Sequence, residues 1–302
     1  MSTFRSGFVA IVGRPNVGKS TFLNQVLKEK VSIISSKPQT TRNQIRGIYT
    51  TDTEQIIFID TPGIHKPKHE LGNYMNAQAV DTLKEVDLIL LLIDATQEYG
   101  SGDEFVKQLL IKTKTPCIFV FNKIDLIRDK NKLMENVVKF TQNIPYKEVF
   151  YISALLGQHV DSLLETVISC LEEGPMYYPV NQTTDHPETF IISEIIREKV
   201  LELTKEEVPH SVAVVIEEMK HDEQQLLNIR AVIIVERPSQ KKIIIGQGGK
   251  MIKEIGTRAR KEIVMIVGEK IYLELWVKVE EDWRNRTNQL KKYGYDPLTK
   301  RE

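Results

Sequence analysis

The strongest chemical signal in this 302-residue sequence is the run Gly13-Arg14-Pro15-Asn16-Val17-Gly18-Lys19-Ser20. It fits G-x-x-x-x-G-K-S, a spacing suited to phosphate. The glycines let backbone N–H groups close around phosphate oxygens. A lysine at this place reaches the β- and γ-phosphates, and the Ser20 hydroxyl is a hard oxygen ligand for Mg²⁺. A helix beginning near Lys19, with Thr21 in its first turn, turns the positive end of its dipole toward the bound anion. The apolar run 8–12 before the motif and the helical spacing after it supply the strand and helix such a loop needs.

Three more polar clusters end apolar runs. Asp60-Thr61-Pro62-Gly63 closes the run 55–60. An aspartate there holds Mg²⁺ through water, and the Gly63 N–H faces a γ-phosphate, although D-T-P-G alone is also an ordinary turn. Asn122-Lys123-Ile124-Asp125 closes the run 117–122. A carboxylate at Asp125 accepts both the ring N–H and the exocyclic amine of guanine, a pair of donors that adenine does not present. Ser153-Ala154-Leu155 closes the run 148–152, placing the Ala154 N–H to meet the guanine carbonyl. Far along the chain, Gly246-Gln247-Gly248-Gly249-Lys250 sets a G-x-x-G turn among Lys241, Lys242 and Lys253. Such a loop brings backbone N–H groups close to phosphates because no side chain intervenes, and in KH modules it clamps about four nucleotides. Standing alone, G-x-x-G is also a plain helix connector.

These residues need elements to hold them. Strand-like runs at 8–12, 55–60, 86–94, 117–122 and 148–152 alternate with helical spacing at 19–28, 72–84, 101–114, 129–141 and 157–172. The alternation predicts an α/β fold with a mostly parallel sheet, whose ligands bind at the carboxyl ends of the strands. Residues 174–187 hold one glycine, three prolines and a polar run, and read as a linker. Beyond them a helix at 188–204, β-rich runs at 211–218 and 226–236, the glycine turn between helical segments and a strand at 271–279 predict a smaller α+β domain. The polar tail 282–302 reads as a short helix with a frayed end. The expected division is 1–174, a linker at 175–187, and 188–302.

The four strand-end motifs, in this order and spacing, resemble the GTPase family of P-loop proteins. The form G-R-P-N-V-G-K-S and the run Pro38-Gln39-Thr40-Thr41-Arg42 are similar to the bacterial translation-associated members. In that family a threonine before the second strand completes the Mg²⁺ shell; Thr41 fits, with Thr40 the alternative. The resemblance makes Lys19, Thr41 and Gly63 the groups that bear on hydrolysis, GTP and GDP the ligands, and Ser20, Thr41 and Asp60 the Mg²⁺ set. Where many relatives carry a water-orienting glutamine this chain has Ile64, which forms no hydrogen bond to water, so intrinsic hydrolysis is expected to be slow. Asn16 matches a position that in related GTPases helps bind a monovalent cation, so K⁺ is a further expectation; a turn asparagine is the plainer reading. The order helix, strand, strand, helix, G-x-x-G, helix, strand resembles a type II KH domain. A G domain followed by such a domain, with S-E-I-I-R-E-K at 193–199 and E-L-W-V-K-V at 274–279, resembles the Era GTPases over residues 7–293. That resemblance implies binding to the 3′ end of 16S ribosomal RNA and a part in 30S assembly.

Composition agrees. Hydrophobic residues are 41 % and charged residues 27 %, which excludes a disordered chain. The longest apolar run, 88–93, is too short to span a bilayer, and the amino terminus lacks a signal peptide's apolar region. Two cysteines without a CxxC argue against a disulfide framework and point to the cytoplasm. Net charge is zero, yet residues 237–261 hold eight basic residues and one acid, a local charge of +7 that attracts polyanions. A monomer without DNA partners is expected. Two competing readings are a signalling GTPase recruited peripherally to the inner face of the cell membrane, and a P-loop kinase or ATPase. The glycine loop weighs against the first and Asp125 against the second. His65 and His69 lack a third metal ligand and read as a solvated loop. Trp276 and Cys117 read as core, and Ile243–Ile245 with Ile252 as core or groove wall.

Overall fold

The computed structural model describes residues 4–35, 37, 39–142, 144–206 and 208–295. The expectations for Pro38 and for the end of the tail, 296–302, lie outside the described residues. The chain divides into two compact units whose main bodies join in sequence at Asp185–His186.

The first unit is built on six strands: β1 (Arg5–Val12), β2 (Ile45–Thr50), β3 (Glu54–Asp60), β4 (Leu88–Asp94), β5 (Cys117–Asn122) and β6 (Val149–Ile152). Their order in the sheet is β2-β3-β1-β4-β5-β6. All pairs are parallel except β2 with β3. β2 was not foreseen. Gly47 interrupts its apolar pattern, and its stability comes from pairing with β3 rather than from propensity. Helices α1 (Lys19–Leu27), α2 (Glu70–Thr82), α3 (Ser101–Leu110), α4 (Lys130–Thr141) and α5 (Val160–Cys170) connect the strands. β4 and β5 are buried almost throughout, as strands covered on both faces must be. Cys117 is buried as expected, and burial pushes its thiol up to about 12, so it is inert at neutral pH. The register places Asp60 beside Ile11, and Asn122 beside both Asp94 and Ile152. The strand-end motifs therefore gather along one carboxyl edge.

The second unit runs α6 (Glu188–Leu203), β7 (Ala213–His221), β8 (Leu227–Val235), α7 (Pro238–Ile245), α8 (Lys250–Val267), β9 (Ile271–Val279) and α9 (Thr287–Lys292). Its sheet has the order β7-β8-β9, with β9 parallel to β8. Ile255, Ala259 and Ile263 recur every four residues along α8 and are buried against Ile271 and Val277 of β9 and Ile192, Ile196 and Val200 of α6. Trp276 departs from expectation: it is 58 % exposed, on the strand face opposite the buried Val277. The buried tryptophan is Trp283, in the tail that reads as polar; its indole N–H donates to Ser211 O at 2.9 Å. Among the described residues, no helix is long and apolar enough to cross a membrane.

Candidate functional site

In the first unit the phosphate loop turns from β1 into α1. Gly18 precedes the helix at φ +101, and a Cβ there would lie 2.2 Å from Asn122 Nδ2. Only glycine fits, because that amide donates to Val17 O at 2.8 Å and ties the loop to the end of β5. Lys19 is buried and its Nζ donates to Arg14 O at 2.9 Å and Gly13 O at 3.3 Å. Burial lowers its pKa to about 8, against the opposing pull of Asp60. The loop is braced on its other side by Arg14, 2.9 Å from Asp103 at the start of α3.

Asp60 is fully buried at the end of β3. Its Oδ2 accepts from Ser20 at 2.7 Å and from Ser32 at 3.0 Å, while Oδ1 is buried without a partner. Burial holds this carboxyl above the usual carboxylate range, against the opposing charge of Lys19 and the hydroxyls of Ser20, Ser32 and Thr41. Thr41 Oγ1 lies 3.0 Å from Ser20 Oγ. Two hydroxyls and a carboxylate with an unpartnered oxygen form a set of hard donors that fits Mg²⁺. Thr41, of the Thr-Thr pair, is the residue whose hydroxyl joins this cluster. Ser32 also reaches it, and the sequence reading did not single it out; it lies in a loop with no motif of its own.

Thr61, Pro62 and Gly63 are buried against the phosphate loop, and the Thr61 hydroxyl donates to Ile11 O at 2.8 Å. Ile64 is 1 % exposed and its N–H donates to Gly13 O at 3.1 Å. His65 is half-buried and bonded through both ring nitrogens, unlike the solvated residue expected, while Lys66 and Lys68 of the same loop are exposed.

At the other side of the edge, Lys123 Nζ reaches Asp94 at 2.6 Å and Asn16 O at 2.7 Å. Asn16 is exposed at φ +64. Asp125 follows Ile124 in a short 3₁₀ turn and is exposed. Ser153 and Ala154 are buried, and Leu155 is exposed. The Ala154 N–H, expected to face a base, donates to Asn122 Oδ1 at 2.9 Å. Asn122 thus links the phosphate loop to the segment after β6.

In the second unit the glycine turn joins α7 to α8. A Cβ on Gly246 would lie 2.7 Å from Met251 Cβ, whereas Gly248 (φ +59) and Gly249 (φ +77) face open space. Gly246 closes the turn, and the next glycines leave the backbone accessible. Gln247, Lys242, Lys250 and Lys253 are exposed and Lys241 is half-buried. Ile244 is wholly buried and Ile243 is 48 % exposed. Between α8 and β9 runs an open groove of about 800 Å³, lined by Ile252, Gly256, Val264, Leu273 and Leu275, with Lys253, Arg260 and Lys261 among its polar residues. Lys253 was expected to touch RNA and Ile252 to line a groove or the core; the other residues carry no such expectation. Their signal was the spacing 253, 256, 257, 260, 261, 264 along one face of α8.

Residues 8–123 match the family model described as a 50S ribosome-binding GTPase, and residues 207–284 match a KH domain model. Two solved structures are similar over nearly the full length. One is Era in complex with MgGDPNP and nucleotides 1506–1542 of 16S ribosomal RNA. It is 45 % identical, with a TM-score of 0.93, over 97 % of this chain and 99 % of that one. The other is a variant of Aquifex aeolicus Era bound to GDP and AlF4⁻. It is 44 % identical, with a TM-score of 0.90, over 97 % of this chain and 100 % of that one.

Proposed function

The chain belongs to the Era family of GTPases, and from that premise we propose that it hydrolyses GTP in its first unit and binds the 3′ end of 16S ribosomal RNA through its second, assisting 30S subunit assembly. The observation that carries this reading is one chain holding both a carboxyl-edge cluster of GTPase motifs and an open glycine loop beside a basic groove.

The backbone of Gly13 to Ser20 and Thr21 cradles the phosphates, and Lys19 neutralises the β- and γ-oxygens. Ser20, Thr41 and Asp60 would hold Mg²⁺, which when bound would neutralise charge on the phosphates. Gly63 presents its N–H to the γ-phosphate. Asp125 reads guanine, Asn122 and Lys123 fix the loops around it, and Ala154 abuts the base. Water attacks the γ-phosphorus as the bond to the bridging oxygen breaks, giving GDP and phosphate. Ile64 points into the core and cannot orient that water, so basal turnover is slow. K⁺ beside Asn16 is proposed as an aid to turnover and is checked by exchanging K⁺ for Na⁺.

The exposed backbone of Gly248 and Gly249, with Gln247, Lys250 and Lys253, grips the RNA backbone while the groove takes unstacked bases. The site of action is the cytoplasm, with any hold on the inner membrane face peripheral. Crosslinking in cells followed by sequencing of bound RNA tests the proposal. Recovery of the 16S 3′ end is expected; recovery of no ribosomal RNA, with flotation on anionic vesicles, favours the lipid-recruited reading instead.

A further inference from the structure

We propose that His65 is a positioning residue for GTP hydrolysis, clasping Gly63 with one ring nitrogen and Gln39 with the other, so that the two loops flanking the γ-phosphate close together. The inference rests on the GTPase reading above and concerns how its site is held.

His65 Nδ1 lies 2.9 Å from Gly63 O. A carbonyl only accepts, so Nδ1 carries the hydrogen and Nε2 presents its lone pair. Gln39 Nε2 lies 2.9 Å from that nitrogen and donates to it. Both contacts are therefore satisfied by one neutral tautomer. The main chain of His65 is fixed from behind by Asn76 of α2, whose Nδ2 donates to His65 O at 2.6 Å.

The consequence falls on one peptide group. The unit joining Gly63 to Ile64 gives its N–H to Gly13 O at 3.1 Å and its C=O to the His65 ring. Held at both ends, that unit is restrained from rotating, which limits the swing of the Gly63 N–H on the far side of the same Cα. The other ring nitrogen reaches Gln39, two residues before Thr41, whose hydroxyl belongs to the Ser20–Asp60 cluster. The clasp thus joins the loop after Asp60 to the loop that carries Thr41. Misplacing a positioned group by about 1 Å can cost on the order of a hundredfold in rate, so a clasp of this kind has leverage on turnover.

The test is steady-state GTP turnover, GDP affinity and melting temperature for the wild type, His65→Ala, His65→Asn, Gln39→Ala and the His65→Ala/Gln39→Ala double variant. The expected result is a fall in kcat of about tenfold or more for His65→Ala, with KM and GDP affinity within about threefold. His65→Asn, whose amide N–H replaces Nδ1–H but leaves Gln39 without the Nε2 acceptor, should recover only part of the loss and turn over like Gln39→Ala. The double variant should turn over no more slowly than the worse single variant, because both remove one clasp. Unchanged kcat in His65→Ala, no recovery in His65→Asn, or additive losses would overturn the proposal while leaving the GTPase reading intact. If His65→Ala fails to fold, His65→Asn and Gln39→Ala decide: a turnover in Gln39→Ala equal to wild type overturns the clasp. A wild type that hydrolyses no GTP would overturn the underlying reading, and the clasp with it.

Discussion

The Arg46 guanidinium lies 2.8 Å from the Asp185 carboxylate, and this pair anchors the segment after α5 along the edge strand β2. Thr184 forms an antiparallel bridge with Gly47, and the Ile48 N–H donates to Thr183 O at 2.9 Å. Gln55, wholly buried, accepts from the N–H groups of Tyr177 and Tyr178 at 2.7 and 3.0 Å and donates to Tyr178 O at 2.8 Å. The stretch that reads as a linker thus has backbone partners supplied by β2, through Gly47 and Ile48, and by the Gln55 side chain of β3.

Arg46→Ala should loosen that segment without emptying the nucleotide site. A part-buried ion pair of this kind is worth about 1 kcal/mol. Amide exchange at residues 182–185 should therefore speed up several-fold while GTP affinity stays within about twofold. Unchanged protection would mean that the backbone pairing of Thr183 and Thr184 with β2 and the Gln55 contacts hold the segment without the ion pair.

Lys19 gives a pH signature. Its amine sits at about 8 in the folded, nucleotide-free site, below its ordinary value, because burial disfavours the charge. A phosphate anion favours the charged form and raises that value. GDP binding without Mg²⁺ at pH 8.5 should therefore take up protons, and affinity should fall as pH rises through 8. Calorimetry in two buffers of different ionisation enthalpy measures the uptake; equal apparent heats would contradict it.

Asp125 should set base choice. Asp125→Asn replaces an acceptor-only carboxylate by an amide that can donate to the O2 carbonyl of xanthine. GTP binding should weaken by about 2–4 kcal/mol, the scale of a lost charge-assisted pair, and preference should move toward xanthine nucleotides. Nucleotide competition measures this, and retained guanine preference would remove the assignment.

The two tryptophans should behave oppositely. Trp276→Ala removes a ring that is 58 % exposed and should change stability by less than about 1 kcal/mol. Trp283→Ala empties a buried site beside Tyr293 and Tyr295 and should cost about 3–5 kcal/mol. Urea unfolding of each variant decides between them.

Much of this was legible in the sequence, for a physical reason. The phosphate loop, the strand-end clusters and the glycine turn are local: their function needs particular residue types at fixed spacing. The strand alternation that gathers the clusters at one edge is also a short-range pattern. What the sequence hid depends on partners far along the chain. β2 exists through β3, and the 174–187 segment through Gln55 and Arg46. Trp283 is flanked by Asp282 and Arg284, and its burial comes from Ser211 and the last tyrosines. Trp276 could have been placed correctly, because Leu273, Leu275 and Val277 alternate with Glu274 and Lys278 and leave it on the outer face; its residue type outweighed its register. His65 carries no motif, and only folding brings Gln39 to its ring.

The most direct test of the central claim is RNA binding by Gly248→Asp in the full chain. Gly248 sits at φ +59 with open space around its Cβ direction, and aspartate tolerates that backbone conformation, so the variant should fold. It places a carboxylate where a phosphate would approach the loop. Gel-shift titration with a single-stranded oligonucleotide of the 16S 3′ end, run beside GTP binding, is the measurement. The account predicts that Gly248→Asp loses RNA binding and keeps wild-type GTP affinity. Normal RNA binding by a folded Gly248→Asp protein would contradict it, leaving the turn from Gly246 to Gly249 a helix connector.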